Sequence, residues 1–340
     1  MKVYYSDAHR KHEPPFEIMD GGLRSPYMEN ADRVDKVLKA LKKTSWAEVL
    51  EPKDFGLDPV YEVHDKGYID FLESCWDKWM DSEAKDKTVM LPSTFALRRH
   101  PQKPTSLLGQ AGYYVMDLSA CIVEGTYPAA LASANCALNA AEVVANGERV
   151  AFALCRPPGH HAGKDYAAGY CFINNASVAA NWLSSKGKVA ILDIDYHAGN
   201  GTEDIFYERD DVLSISIHAD PNFEYPHYFG YPDERGDGKG FGFHYNFPLP
   251  AKTHDESYLK TLDGTLDLIR AFKPDYLVIS AGMDLYRDDK LGTFKITRKG
   301  ISEIGKRIAS LRLPTITIME GGYNNDALGK NMIALLKELK

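Results

Sequence analysis

The feature that most constrains this chain is a series of short, nearly unbroken apolar runs set between helix-length segments. VAFALC (150–155), KVAILDIDY (188–196), VLSISIH (212–218), DYLVISAG (275–282) and PTITIM (314–319) are rich in β-branched residues, and residues 1–6 offer a sixth run. A strand with one wet face alternates apolar and polar residues, whereas one that is apolar throughout is covered on both faces, as in a parallel sheet between helical layers. Helix-length segments fall at 30–43, 66–80, 127–146, 174–186, 254–271, 297–311 and 326–339. This order predicts an α/β fold with a central, mostly parallel sheet flanked by helices on both faces. With no linker, repeat or low-complexity tract, residues 1–340 read as a single domain. Two stretches fit neither pattern: 81–110, interrupted by prolines, and 219–250, rich in Gly, Pro and aromatic residues. Loops of that length within a compact domain usually serve a site or a partner.

Composition closes off several function classes. The net charge of −8 (40 basic against 48 acidic side chains) argues against a nucleic-acid partner, which needs a surplus of Lys and Arg. The five cysteines are scattered and form no CxxC, so neither a disulfide framework nor a thiolate metal site is expected, and a reducing cytoplasm fits best. The amino-terminal residues become charged before an apolar segment can form, so no signal peptide is read. No apolar run approaches the roughly 20 residues that cross a bilayer. A soluble, cytoplasmic protein without a membrane partner is expected.

In doubly wound sheets ligands bind beyond the carboxyl ends of the strands, and there the polar residues collect. Asp195 and His197 end one run, Asp284 follows another, and Glu320-Gly321-Gly322-Tyr323 follows a third. RPPGHH after the 150–155 run adds His160 and His161. Strand alternation, if it persists to 197, points Asp195 and His197 to one side, and Asp284 is the natural third ligand of a catalytic metal site with an open position. An isolated DxD at a strand end would more often be a cap or a surface acid; the tight AGNGT turn and a third acid on another strand tip weigh against that here. Near a metal, one of the paired imidazoles can take a proton while the other stabilises charge, and Asp193 and Asn200 are the candidates to orient them. Tyr323, projecting from a glycine pair, can donate a hydrogen bond to a developing oxyanion. The donor set Asp₂His suits Zn²⁺, and also Fe²⁺ or Co²⁺. GDGKGFG (236–242) neither follows a buried strand nor matches a phosphate-binding loop, and no GxSxG elbow exists for a serine hydrolase.

RPPGHHA (156–162), GYCFINN (169–175), DIDYHAGNGTEDIFY (193–207), SAGMD (280–284) and EGGY (320–323), in this order, resemble the histone deacetylase superfamily, and most of all its acetylpolyamine amidohydrolase branch. The resemblance implies an arginase-deacetylase-like fold with about eight strands and one Zn²⁺ held by Asp195, His197 and Asp284. It makes His161 the general base, His160 its electrostatic partner, Asp193 and Asn200 their orienting residues, and Tyr323 the group that polarises the acyl carbonyl. Tyr170 and Tyr225 become the aromatic pair flanking the acyl tunnel, and Gly169 the backbone position that accepts the amide N–H. A K⁺ site is implied at Asp193, Asp195, His197, Ser216 and Ile217. The implied reaction frees a small amine from its N-acetyl amide; lysine deacylation in peptides and a non-catalytic acetyl-ligand module are the alternatives. Ala198 and Asn200 stand where many members have His and Asp, and the acetylpolyamine branch accepts the asparagine. Residues 81–110 resemble that branch's long loop, which implies a homodimer and a narrowed entrance for slender substrates.

Overall fold

A computed structural model describes residues 1–84, 87–96 and 102–340. The strands are β1 (Lys2–Tyr4), β2 (Glu17–Met19), β3 (Leu23–Ser25), β4 (Glu48–Leu50), β5 (Val150–Ala153), β6 (Val189–Asp193), β7 (Val212–Ala219), β8 (His244–Leu249), β9 (Tyr276–Ala281) and β10 (Thr315–Met319). The α-helices are α1 (Asp32–Leu41), α2 (Asp58–Tyr61), α3 (Lys66–Asp81), α4 (Leu107–Tyr114) and α5 (Thr126–Ala145) in the first half. They continue with α6 (Asn175–Ser184), α7 (Asn200–Phe206), α8 (Asp255–Phe272), α9 (Arg298–Ala309) and α10 (Asn325–Leu339). Eight strands form one sheet in the order β4-β1-β5-β10-β9-β6-β7-β8, and β2 and β3 pair separately as a hairpin. Every pairing in the large sheet is parallel.

The two layers of core follow from strand alternation. Val189, Ile191, Val278, Ile316 and Ile318 pack on one side with residues of α3, α5 and α6. Ala190, Leu192, Leu277 and Ile279 pack on the other with residues of α1, α8, α9 and α10. Successive residues thus enter opposite cores, which explains why the strands are apolar throughout rather than alternating.

Helices begin beside the rim because side chains cap them there. Asn174 Oδ1 accepts from Ser177 N at 2.9 Å at the start of α6, and Asn324 Oδ1 accepts from Ala327 N at 3.2 Å at the start of α10. The structure departs from the sequence reading in three places. The 219–250 stretch contains β8, an edge strand, and β4 adds the other edge. The 81–110 stretch is not wholly irregular, since α4 starts at Leu107; its residues 85–86 and 97–101 lie outside the described residues. The run at 188–196 leaves the sheet at Asp193, three residues early.

Candidate active site

Because β6 ends at Asp193, strand alternation does not carry the chain to His197. Side-chain turns do that work instead. Asp193 Oδ1 accepts from Asp195 N at 2.9 Å, and Asp195 Oδ1 accepts from His197 N at 2.8 Å. Asp284, beyond β9, is fastened to the same segment: its Oδ1 accepts from Tyr196 N at 3.0 Å. His197 Nδ1 then lies 3.3 Å from Asp195 Oδ1 and 3.2 Å from Asp284 Oδ2. One donor atom from each of Asp195, His197 and Asp284 falls within 4.8 Å of the others, and all three residues are buried. The crowding needs glycine on both flanks. A Cβ on Gly282 would lie 1.9 Å from Asp195 Oδ2, and one on Gly321 would lie 2.2 Å from Asp284 Oδ2. Gly321 N also donates to Asp195 Oδ2 at 2.8 Å.

The electrostatics fit a cation. Burial and the neighbouring Asp195 push the Asp284 carboxyl up to about 7. Two carboxylates crowded into a dry site repel one another, and a divalent ion between them relieves that repulsion. Three protein donors of the Asp₂His type leave a coordination position open, as catalytic sites require.

The tandem histidines sit on a rigidly anchored loop. Glu320 Oε2 accepts from Gly159 N at 2.7 Å and from His160 N at 3.2 Å. Ahead of them, the buried Arg156 donates to Glu29 Oε1 at 3.1 Å and to the carbonyl of His9 at 2.6 Å. The two imidazoles stack with centroids 3.9 Å apart. His160 Nδ1 donates to Asp193 Oδ2 at 2.9 Å, and His161 Nδ1 donates to Asn200 Oδ1 at 2.7 Å. Burial opposes charge on His160, but Asp195 and Asp193 push it up to about 10. His161 is driven the other way, well below the usual imidazole range, by burial and by the neighbouring His160 and His197. The two histidines of the pair are thus pushed in opposite directions, His160 toward its charged form and His161 toward the neutral ring.

A cleft of about 600 Å³ opens onto these groups, bordered by His161, His197, Gly169, Tyr170, Tyr225 and Tyr323. Burial holds the Tyr323 phenol far above its ordinary range, so it keeps its proton as a donor. The loop carrying it is tied down by Asp289 Oδ2, which accepts from Tyr323 N at 2.7 Å and from Asn324 N at 2.9 Å. Arg33 of α1 donates to the carbonyls of Gly322 at 2.7 Å and Glu320 at 2.6 Å, while pairing with Glu29. Tyr170 OH donates to Glu17 Oε2 at 2.6 Å, fastening one tunnel wall to the β2–β3 hairpin. Phe95, from the 81–110 stretch, also borders the cleft.

Of the residues singled out from the sequence, His161, Gly169, Tyr170, His197, Tyr225 and Tyr323 border the cleft, with His160, Asp193, Asp195, Asn200 and Asp284 buried behind them. Among the residues implied for K⁺, Asp193 pairs with Ser216 in strand register, and Ser216 Oγ donates to His218 Nδ1 at 2.7 Å. Sequence reasoning gave no role to Glu320 and missed Arg33, Glu29, Asp289, Glu17 and Glu224. One signal was available: Arg33 precedes Val37 by one helical turn, placing a charge on the apolar stripe of α1. Such a residue is buried only when it has partners.

Comparison with known proteins agrees with this geometry. The chain matches the histone deacetylase domain family over residues 27–339. It is 46% identical to acetylpolyamine amidohydrolase 1 of Pseudomonas aeruginosa, covering 99% of this chain and 98% of that protein. It is 41% identical to the acetylpolyamine amidohydrolase of Mycoplana ramosa, covering 99% of each. The crystal structure of acetylpolyamine aminohydrolase from Burkholderia pseudomallei superimposes with a TM-score of 0.96 at 38% identity, over 100% of this chain and 98% of that one.

Proposed function

The chain belongs to the histone deacetylase domain family, and from that premise we propose that it is a metal-dependent amidohydrolase that removes acetyl groups from N-acetylated polyamines or related small amines. The observation that carries the proposal is the convergence of Asp195, His197 and Asp284 beneath a cleft that also exposes His161 and Tyr323. The full-length similarity to acetylpolyamine amidohydrolases supports the choice of substrate.

Asp195, His197 and Asp284 would hold one Zn²⁺ per chain. When bound, such an ion supplies a Lewis acid that polarises the acetyl carbonyl and acidifies water. His161 Nε2, left free by the Nδ1 bond to Asn200, takes the proton from the attacking water and returns it to the departing amine. His160, charged beside Asp193, stabilises the negative charge that develops. Tyr323 donates its phenolic hydrogen to the carbonyl oxygen as it becomes an oxyanion. Gly169 accepts the amide N–H, and the Tyr170 and Tyr225 rings sandwich the acyl chain. A structural K⁺ bound by Asp193, Asp195, His197, Ser216 and Ile217 would steady the ligand segment. We place the enzyme in the cytoplasm as a homodimer of single-domain chains, with residues 81–110 narrowing the entrance. The Phe95 side chain at the cleft supports that last element.

The test is acetate release from N-acetylputrescine and N-acetylcadaverine by metal-quantified protein, set against an acetyllysine peptide of equal concentration. Asp195→Ala should lose both metal and turnover. Tyr323→Phe should keep the metal and lose on the order of 10²–10³-fold in kcat. Faster turnover of the peptide would overturn the small-amine assignment, and a wild-type rate in Tyr323→Phe would remove the phenol from the mechanism.

A further inference from the structure

We propose that Glu224 is the carboxylate that recognises the free ammonium of the substrate, an inference that rests on the amine deacetylase reading above. Among the described residues two acidic side chains border the cleft, Asp117 and Glu224. They differ in how much of their accepting capacity the fold already uses. Asp117 Oδ1 accepts from Ser119 N at 3.0 Å, Ser119 Oγ at 2.8 Å and Ala120 N at 3.0 Å. Its Oδ2 accepts from Gly169 N and Tyr225 OH, each at 2.7 Å. A carboxylate offers about four lone-pair directions, so Asp117 is saturated. It acts as a clasp that joins the two walls of the tunnel.

Glu224 is only half engaged. Its Oε2 accepts from Tyr196 OH at 2.7 Å and its Oε1 from Tyr225 N at 3.2 Å, one bond to each oxygen. The side chain is half-buried and forms no ion pair with any described Lys or Arg. Lys290 is the one Lys or Arg bordering the cleft among the described residues, and its side chain is exposed. Withdrawal from water makes an unpaired carboxylate costly, and a charge-assisted hydrogen bond from an ammonium relieves that cost. The alkyl segment between acetamide and ammonium meets Phe95, Met116, Leu118 and Leu291 along the same cleft. The ligand class that fits is therefore an N-acetylated diamine: acetamide at the histidines, methylenes along the apolar wall, and a primary or secondary ammonium at Glu224.

The experiment compares kcat/KM for N-acetylcadaverine with that for N-pentylacetamide, its uncharged counterpart of nearly equal shape, in the wild type, Glu224→Gln and Asp117→Asn. Glutamine keeps its carbonyl oxygen as acceptor for Tyr225 N and can donate its amide N–H to the Tyr196 hydroxyl, while removing the charge. The wild type should prefer the charged amide, and Glu224→Gln should shrink that preference about tenfold, a difference of one charge-assisted hydrogen bond, mainly through KM. Asp117→Asn should lower both substrates together and leave the preference intact. Because the readout is a ratio within one preparation, loss of folded enzyme cancels. An unchanged ratio in Glu224→Gln, or equal cleavage of both amides by the wild type, overturns the assignment of Glu224 while the deacetylase reading stands. Cleavage of neither amide overturns the deacetylase reading itself.

Discussion

The hydrogen bond from His161 Nδ1 to Asn200 Oδ1, 2.7 Å long, decides which ring nitrogen is left to accept a proton. An aspartate there would draw the imidazole toward its charged form, whereas the neutral amide orients it and raises its basicity less than a charged partner would. Asn200→Leu should therefore retain its metal, measured by elemental analysis, yet lose on the order of 10²-fold in kcat because the base is no longer aimed. Arg33 offers a second check. Arg33→Ala leaves Glu29 buried without one of its partners and frees the carbonyls of Glu320 and Gly322; urea unfolding should show a loss of about 3–5 kcal/mol. The ligands and histidines were legible in the sequence because each follows an unmistakable strand run. The roles of Asp117, Glu224, Glu320 and Asp289 were not, since an acid in a loop announces no task until the fold shows which amides it reaches.

Strands and helices were readable where their period is long and pure. The seven expected helices and six expected strands all appear, with ends shifted by a few residues. The edge strands β4 and β8 escaped detection for opposite reasons. β4 is only three residues long, and β8 carries His, Asn and Pro that its half-exposed position tolerates but a buried strand would not. The central strands make the sharper prediction. Ile279 of β9 is fully buried against α8, α9 and α10, so Ile279→Ala should cost about 2–5 kcal/mol in a denaturant titration. A smaller loss would mean that the neighbouring side chains collapse into the gap.

Buried imidazoles govern how the entire molecule responds to acid. His64 Nδ1 donates to the Gly163 carbonyl at 2.8 Å while its Nε2 accepts from Asn174 N at 3.0 Å, so the folded state demands the neutral ring. Burial pushes both His64 and His218 down to about 4, whereas an unfolded imidazole titrates near its ordinary 6.5. Between those values the unfolded chain binds protons that the folded chain refuses, so these two groups favour folding fully above 6.5 and progressively less as pH falls toward 4. His64→Gln can make the same two hydrogen bonds without titrating. Its urea midpoint should fall less between pH 7 and pH 5 than that of the wild type; an identical slope would exclude His64 as a contributor.

Asp195 and Asp284 follow strands far apart in sequence that lie side by side because β6 and β9 pair in one register, Asp193 against Ser280. A slip of a single residue would turn every side chain of β9 to the opposite layer and carry Asp284 away from His197. Ion capture is consequently a molecular inspection. Misregistered chains present no chelating triad, remain empty, and are not stabilised by mass action, while correctly aligned ones are drawn out of the ensemble by the ion they retain.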